Sequence, residues 1–478
     1  MVNRLGRFHL HQAKSLSIWV LVQHRVGDAI TFFIPPDLGK MQHLVQSLNH
    51  EHLNNIQRLI DLRTMPPSFS CGFFLLIGSC CLLPSTQTKD PQDTDHDDLG
   101  IDTYQCRKVA FTISNASSSL FKELAQRSKY KNILFSPLRI AAAFTMLSLG
   151  AKGNTSQQIL EGLRLNFTGL TEAEIHKCFQ YLFTAPYESK NKSPLFGGSS
   201  LFISKDLNVT DKFVKNVKQL YQCETIPTDF TNSQRAKEQI NNHMNQKTQR
   251  ELQEMIVDLE KNISLAVMDY IIFHGKWYNR LRCQHVVMED FLLDERVTIK
   301  VPTINHLDIV DLLWVEDMSS KVLQYGSMGS AMAFFILPDE GKMQQVEQTL
   351  TYPQLRWIRA KMKSVRLVKI HMPELSVTET YDLEPLMSIQ GITQVFSDSA
   401  DLSGITGGAA PLKLSKTIHK AFLTLDTEGT GPPDTNYCTG RPWNASEIIE
   451  FKRPFIIFIM DQEHLAPLFI GRIVNPRQ

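Results

Sequence analysis

The sequence predicts an α+β domain in which a group of helices precedes most of the strands. Polar stretches of helical period fill much of the first half of the 478 residues, and short apolar runs rich in β-branched and aromatic residues dominate the second half. This order lacks the alternation of strand and helix that builds a parallel βαβ sheet. Several of the runs are apolar throughout, which indicates strands buried on both faces.

The first clear helix signal is Ser136-Pro137. Serine is a favoured N-cap, and proline suits the first helical position because its missing N–H needs no partner there. The run at 140–149 is almost entirely apolar, and Gly150 closes it. We therefore expect a buried helix between Pro137 and Gly150.

Three further helices are predicted from capping and periodicity. Thr171 and Glu174 form a capping box ahead of an apolar stripe, so a helix is expected to start there. Residues 208–221 and 233–260 are long polar stretches of helical period, and each is expected to be helical.

The strand predictions follow from residue 265 onward. Four runs combine β-branched and aromatic residues with few charges, as buried strands do. They are residues 265–273, 332–337, 421–425 and 455–460.

Composition excludes several classes of function. The 50 basic and 49 acidic side chains leave a net charge of +1, so the chain lacks the strong positive field that nucleic-acid binding needs. No run reaches the roughly 18 apolar residues of a membrane span. The eight cysteines include no CxxC pair, which argues against a zinc ribbon. Three of them lie in an apolar stretch at 71–81 that is expected to be cleaved off. The five that remain are an odd number and cannot all pair within one chain, so we expect no disulfide scaffold.

Residues 65–88 are predicted to be a secretory signal peptide. A short polar start, an apolar run of about a dozen residues and a small-residue cleavage region fit this assignment, with a buried core helix as the alternative. The polar, acidic segment 89–103 is then the flexible mature N-terminus. Its Asp95-His96-Asp97-Asp98 run suits a solvated tail far better than a metal site, and no metal or cofactor is expected.

Residues 1–64 repeat a later part of the chain. Residues 32–42 (Phe-Phe-Ile-Pro-Pro-Asp-Leu-Gly-Lys-Met-Gln) match residues 334–344 at an offset of 302, and the same offset aligns Leu53 with Leu355. One register over some 60 residues indicates a duplicated piece. Because the piece lacks a complete core, we interpret it as a fused fragment of a related domain and not as an independent domain.

Seven acceptor sequons for N-glycosylation follow the signal segment. A single sequon arises easily by chance, but seven after a signal peptide favour a luminal or extracellular chain. They begin at Asn115, Asn154, Asn166, Asn191, Asn208, Asn262 and Asn444.

The sequence contains no catalytic constellation that predicts an enzyme. It has no G-x-S-x-G elbow, no Walker loop and no H-E-x-x-H motif. The segment 404–408 (Gly-Ile-Thr-Gly-Gly) indicates a turn better than a dinucleotide site. His419 lies in a run flanked by the apolar residues Ile418, Ala421 and Phe422, and it is interpreted as a hydrogen-bonded core histidine in preference to a ligand or a base.

The order and spacing of seven motifs resemble the serpin family, and specifically its alpha-1-antitrypsin group. The resemblance extends from about Tyr104 to the C-terminus, and the set is highly specific. The motifs occupy residues 132–137 (Asn-Ile-Leu-Phe-Ser-Pro), 145–150, 269–277, 334–338, 400–404, 414–420 and 467–476.

The resemblance implies one serpin domain at 104–478, with about nine helices, three sheets and an exposed reactive-centre loop. In that family a serine protease cleaves the loop, and the loop then inserts into the central sheet and distorts the acyl-enzyme. Family pattern places Ser136, Asp269 and His419 where the sheet opens. Asp269 stands where asparagine is usual and Arg139 where serine is common, so the local hydrogen bonding must differ.

The loop, at about 429–450, departs from the inhibitory pattern at its hinge. Inhibitory members carry glutamate and small alanine-like residues there, whereas this chain has two prolines and an aspartate. Proline has no N–H for a central strand, and an inserted aspartate would lose its hydration. The hinge residues are Gly429, Thr430, Gly431, Pro432, Pro433 and Asp434.

The resemblance implies a scissile bond between Trp443 and Asn444, because the loop has the same length here as in the alpha-1-antitrypsin group when it is counted from Gly429 to Phe451. A tryptophan suits a chymotrypsin-like pocket, while Pro442 and a glycan on Asn444 would shield the bond; an exposed aromatic without inhibitory use is the alternative. The expected partner is therefore an extracellular serine protease, with chymotrypsin-like specificity favoured. Neither a nucleic acid nor a membrane is expected as a partner, and the chain is expected to be a monomer.

Two functions remain open from the sequence. One is a secreted serine-protease inhibitor that acts by loop cleavage and insertion. The other is a non-inhibitory serpin that carries a small hydrophobic ligand or serves only as a protease substrate. The chain is expected in the extracellular space, with retention in the endoplasmic reticulum as an alternative.

Overall fold

The computed structural model describes most of the chain from Thr103 onward and the backbone of three short strands near the N-terminus. The predicted signal peptide at 65–88 and the acidic segment, up to residue 102, lie outside the described residues. The described ranges are 8–13, 18–23, 31–33, 103–184, 195–260, 263–276, 284–294, 296–328, 331–362, 365–408, 411–427 and 447–478.

The helices lie mostly in the first half of the domain, as predicted. Those that the structure describes are α1 Thr103–Arg127, α2 Pro137–Ser148, α3 Gly153–Gly162, α4 Glu172–Thr184, α5 Asp211–Tyr221, α6 Ser233–Lys247, α7 Met343–Thr349, α8 Tyr352–Lys361, α9 Glu384–Ile389 and α10 Ser403–Thr406.

Both capping predictions are confirmed. The Ser136 side chain caps α2 by accepting a hydrogen bond from the Arg139 backbone N–H, and Pro137 occupies the first turn. Every residue of α2 is buried. At the start of α4, Thr171 and Glu174 exchange the reciprocal bonds of a capping box.

The two polar stretches are helical over shorter spans than predicted. The first helix, α5, begins at Asp211 instead of residue 208, and α6 ends at Lys247 instead of residue 260. Gln249 and Arg250 both adopt positive φ, at 51° and 69°, which L-residues rarely hold and which no α-helix can continue through. The prediction beyond Lys247 is therefore wrong, because polarity alone does not distinguish a helix from a solvated loop.

The strands that the structure describes in the domain form two sheets and not the three that the family resemblance implied, because one long strand, Thr298–Val315, joins two groups of strands into one sheet. They are β4 Ile133–Phe135, β5 Leu195–Ser204, β6 Glu224–Thr228, β7 Leu265–Lys276, β8 Gln284–Leu292, β9 Thr298–Val315, β10 Ser320–Met328, β11 Ala331–Pro338, β12 Val365–Pro373, β13 Leu375–Asp382, β14 Lys416–Asp426, β15 Glu447–Glu450, β16 Phe455–Asp461 and β17 Pro467–Ile473, preceded by β1 Phe8–Ala13, β2 Ile18–Gln23 and β3 Thr31–Phe33 in the leading segment.

The sheet topology confirms the α+β class. One sheet has five strands in the order β13-β14-β7-β5-β6, and the other has nine, in the order β15-β12-β9-β10-β11-β16-β17-β4 with β8 on β9. The 18-residue strand β9 pairs with β8 and β12 over its first part and with β10 at its end, so one strand joins two groups of strands. β11 and β16, which contain two of the predicted apolar runs, are buried at every residue, and so is β17, which none of the four runs predicted.

The leading segment forms a separate compact unit within residues 1–94. Its three strands pair as an antiparallel meander in the order β1-β2-β3. Leu21 pairs with Phe33, and their counterparts 302 residues later, Leu323 and Phe335, pair in the same way in β10 and β11. A duplicated segment would adopt this register; that residues 1–64 are a fused fragment stays a prediction.

One disulfide, which the cysteine count did not predict, joins two helices. Cys106 on α1 bonds Cys178 on α4 across 72 residues, and both are fully buried. Cys223 is a buried free thiol whose pKa is raised, chiefly by burial. The one crosslink among the described residues does not make a disulfide scaffold, and the large apolar core around both sheets is the main source of their stability.

Candidate functional site: the seam between β7 and β14

The five-stranded sheet contains a parallel seam at the root of the loop. β7 and β14 pair in parallel from Ala266–Lys416 to Lys276–Asp426. The chain leaves β14 at Asp426 and returns as β15 at Glu447. A strand folded back from the end of β14 would run antiparallel to β14, and equally to β7, because those two are parallel. The seam can therefore accept such a strand with two antiparallel ladders.

The structure brings the three predicted residues together at this seam. Asp269 on β7 and His419 on β14 are register partners, and His419 Nδ1 lies 2.7 Å from Asp269 Oδ2. The backbone N–H of Ser136 lies 3.0 Å from His419 Nε2. Because a backbone N–H only donates, Nε2 must accept, so the neutral imidazole carries its proton on Nδ1 and donates it to Asp269. All three residues are fully buried.

Arg139 completes the network from α2. Its Nε and Nη2 both donate to Asp269 Oδ1, at 3.0 and 2.7 Å, and Nη2 also donates to Ser199 Oγ on β5 at 2.7 Å. The Ser199 hydroxyl in turn donates to Asp269 Oδ1 at 2.7 Å. The guanidinium also stacks 4.8 Å from the centroid of the Phe183 ring, a favourable cation–π geometry.

The Arg139 guanidinium keeps Asp269 charged in a dry environment. Burial alone raises the pKa of the Asp269 carboxyl, but Arg139, with the hydrogen bonds from His419 and Ser199, outweighs burial and lowers the pKa below its ordinary range. The side chains of Arg139 and Asp269 are 4% and 0% exposed, so this is a buried ion pair. Removal of either partner would leave an uncompensated charge.

The sequence reasoning located Ser136, Asp269 and His419 but did not pair Asp269 with Arg139. The two lie 130 residues apart, so no local pattern joins them. A usable signal did exist, because both positions depart from the family pattern and the two departures have opposite charges. Complementary charges at two apolar-flanked positions are most simply explained by a direct contact.

The loop itself lies outside the described residues. This applies to the hinge residues Gly429, Thr430, Gly431, Pro432, Pro433 and Asp434, to the predicted scissile pair Trp443 and Asn444, and to the sequons at Asn191 and Asn262.

The four described sequons occupy different environments. Asn208 is exposed in a short connection, Asn166 is exposed in the 3-10 helix Leu165–Thr168, and Asn154 is exposed in the first turn of α3. Asn115 lies within α1, and the hydroxyl group of its sequon, Ser117, is buried and donates to the Ser114 carbonyl.

The described residues show neither a metal site nor a spanning helix. They contain no group of three or more His, Cys, Asp or Glu side chains arranged to hold a metal ion. Among the same residues, no helix combines the length and the apolar composition needed to cross a lipid bilayer.

The family model described as Serpin (serine protease inhibitor) matches residues 112–476. The chain belongs to the serpin family. The human alpha-1-antitrypsin-related protein is 42% identical over 422 residues, covering 87% of this chain and all of that protein. Mouse alpha-1-antitrypsin 1-6 is 45% identical over 414 residues, covering 86% of this chain and 99% of that protein.

Solved serpin structures confirm the fold. Human thyroxine-binding globulin complexed with thyroxine superposes with a TM-score of 0.72 at 32% identity, covering 78% of this chain and all of the other. Human glycosylated kallistatin gives a TM-score of 0.72 at 30% identity, covering 78% of this chain and 99% of the other. The family to which this serpin belongs is described as serine protease inhibitors. One of its structural relatives, thyroxine-binding globulin, is named for the ligand that it binds.

Proposed function

We propose that this serpin is secreted and that an extracellular serine protease cleaves its reactive-centre loop as a substrate, without being trapped. The observation that carries the proposal is the closed parallel seam between β7 and β14, which the start of the loop would have to enter. The chain has the cleavable loop and the central sheet of an inhibitor, but the residues of its hinge oppose insertion of the loop into that sheet.

The hinge chemistry supports a block at insertion. Pro432 and Pro433 lack the N–H groups that an inserted strand must donate to its neighbours. Each lost ladder bond costs about 1–3 kcal/mol once its acceptor is buried and unpaired. Asp434 would add several kcal/mol more if it were buried as an unpaired charge.

The loop sequence also favours one class of protease. The predicted scissile residue, Trp443, fits the wide apolar pocket of a chymotrypsin-like enzyme. Incubation with chymotrypsin, and with elastase for comparison, tests the proposal directly. The expected product is loop-cleaved serpin with fully active protease, and an SDS-stable covalent complex at near one-to-one stoichiometry would overturn the proposal.

Secretion predicts that the chain is processed before it reaches the medium. The mature protein is expected to begin near residue 85–90, because the signal-like segment starts at Met65 and the acidic tail follows it. The leading duplicate, residues 1–64, is then absent from the product. N-terminal sequencing of secreted protein checks this, and any product that starts within residues 1–64 contradicts it.

The sequons are proposed glycan sites in that secreted product. Asn166 and Asn208 are exposed and their sequons end in threonine, so we expect glycans there first. Asn208 is the better acceptor of the two, because Thr168 of the Asn166 sequon is buried and donates to the Leu165 carbonyl. Asn115 is the poorest of the described four, because its sequon is helical and its serine is buried.

A surface cleft favours ligand carriage as a second candidate function. It has a volume of about 920 Å³ and combines aromatic rings with an excess of cations. Arg356 lies 5.3 Å from the Phe111 ring centroid, and Phe111 packs edge-on to Tyr352 at 5.6 Å. Such a cleft suits an anion with an aromatic body. Its charged side chains are Arg107, Lys108, Arg164, Arg356 and Glu161.

Titration with anilinonaphthalene sulfonate, an aromatic anion whose fluorescence rises on binding, tests this second function. The substitution R356E is expected to weaken binding about tenfold, because it replaces an attractive charge by a repulsive one beside the ring. The matched control R296E changes an exposed arginine outside the cleft and should leave the affinity unchanged. Equal affinity for all three proteins would exclude the cleft as the site.

A further inference from the structure

Besides the backbone ladder, two side-chain hydrogen bonds join register partners across the seam. His274 and Thr424 form the partly exposed one, at 2.9 Å, and Asp269 and His419 form the fully buried one. The Nδ1–H of His419 on β14 donates to Asp269 Oδ2 on β7, and no other element intervenes between these register partners. Arg139 and Ser199 hold the other carboxylate oxygen from α2 and β5. Ser199 lies on β5, which pairs with β7, so separation of β7 from β14 would leave its bond in place. The helix α2 contacts both sides of the seam, because its N-cap Ser136 also donates to His419.

Opening of the seam must break the bond between His419 and Asp269. The carboxylate oxygen that loses its donor is fully buried, and a charged acceptor is costly to leave without a partner. A hydrogen bond to a carboxylate is also roughly twice as strong as one between neutral groups. The resistance to opening therefore depends on whether Asp269 carries its charge.

Arg139 determines that charge. A carboxyl group enclosed by α2, β5, β7 and β14 would bind a proton if it faced only the neutral Ser199 and His419. The bidentate guanidinium supplies the compensating positive charge at 2.7 and 3.0 Å. Arg139 thus acts on the seam through Asp269.

We infer that Arg139 is a positioning residue for sheet opening: it holds Asp269 as a carboxylate and so closes the seam between β7 and β14 more firmly than a neutral pair of side chains would. The claim that Arg139 hinders loop insertion rests on the proposed function. The claim that Arg139 strengthens the seam does not. The Arg139–Asp269 pair is then a second barrier to insertion in this chain, separate from the hinge prolines.

Hydrogen exchange followed by mass spectrometry tests the seam without any protease. The variant R139S/D269N removes both charges together, so neither is left unpaired, and an amide at 269 can still accept from His419. Amides of β7 and β14 are expected to exchange at least about tenfold faster than in the wild type, which corresponds to about 1.4 kcal/mol. Amides of β16 and β17 should be unchanged.

Two further variants separate the seam from general stability. R139K keeps the charge and should retain most of the protection at the seam. The matched control E347Q/R472Q removes another buried ion pair, between α7 and β17 at 2.8 Å, and should leave β7 and β14 protected relative to the rest of the protein.

The inference is overturned if R139S/D269N leaves exchange in β7 and β14 unchanged, or if all strands of the variant exchange faster by the same factor. Trapping of a protease by the wild-type protein would instead contradict the proposed function and leave the exchange result valid. The two failures are therefore distinguishable.

Discussion

Replacement of residues 431–435 by Glu-Ala-Ala-Gly-Ala is expected to convert this serpin from a protease substrate into a trap. After cleavage, deacylation and loop insertion compete. The five substitutions restore two N–H donors and remove the carboxylate of Asp434, while the new glutamate at 431 falls on the opposite face of the inserting strand because side chains alternate. Together these changes lower the barrier to insertion by several kcal/mol. Since each 1.4 kcal/mol changes a rate about tenfold, insertion should gain orders of magnitude over deacylation.

The measurement is the fraction of chymotrypsin recovered as an SDS-stable complex. The matched control P442A also removes a loop proline, but one beside the predicted scissile bond and outside the segment that enters first. It should raise the cleavage rate without producing complex. If the hinge replacement yields only cleaved serpin, the hinge is not the main obstacle, and the seam itself becomes the stronger explanation.

Substitution of Arg139 by alanine is expected to lower the free energy of unfolding by about 3–5 kcal/mol at neutral pH. The loss is large because the fully buried Asp269, once its ion pair is gone, must either stay charged without a partner or take up a proton at neutral pH, and both are costly. Chemical denaturation of wild type and variant measures it. The control R127A breaks an exposed i,i+4 pair with Glu123, which is worth only about 0.3–0.5 kcal/mol.

The loss in the free energy of unfolding caused by R139A is expected to depend on pH, in a direction set by the pKa of Asp269. In the wild type the pKa of Asp269 is depressed, so the stability it contributes is present above its ordinary range and is lost as the pH falls through the depressed value. Without Arg139, burial would raise that pKa, and the folded state would bind the proton more tightly than the unfolded state. The R139A deficit should therefore shrink as the pH falls from 7 toward 5. A deficit independent of pH would mean that packing, not charge, explains it.

Local sequence signals predicted the local structure well. Ser136-Pro137 fixed the start of α2, and the Thr171–Glu174 box fixed the start of α4, because each motif satisfies backbone donors within a few residues. Residues 248–260 were predicted wrongly because a polar loop and a polar helix have similar composition. The positive φ of Gln249, which ends the helix, cannot be detected from the spacing of apolar residues.

The features that the sequence did not predict are pairings between residues far apart in the chain. The Cys106–Cys178 disulfide joins helices 72 residues apart, and the Arg139–Asp269 pair spans 130 residues. Spacing alone favours no partner at such distances. The family motifs placed Ser136, Asp269 and His419 in one region, but only the structure shows which atoms donate, and hence that His419 is neutral with its proton on Nδ1.

The thermal unfolding midpoint of the loop-cleaved protein tests the central claim most directly, because insertion of the loop would add a strand to the five-stranded sheet and stabilise it. The experiment compares intact serpin with serpin cleaved near Trp443, with the cleavage position verified by mass spectrometry. We predict that the two unfold at nearly the same temperature, since Pro432, Pro433 and Asp434 keep the cleaved loop out of the seam between β7 and β14. A large rise in the midpoint on cleavage would show that the loop inserts, and would contradict the account.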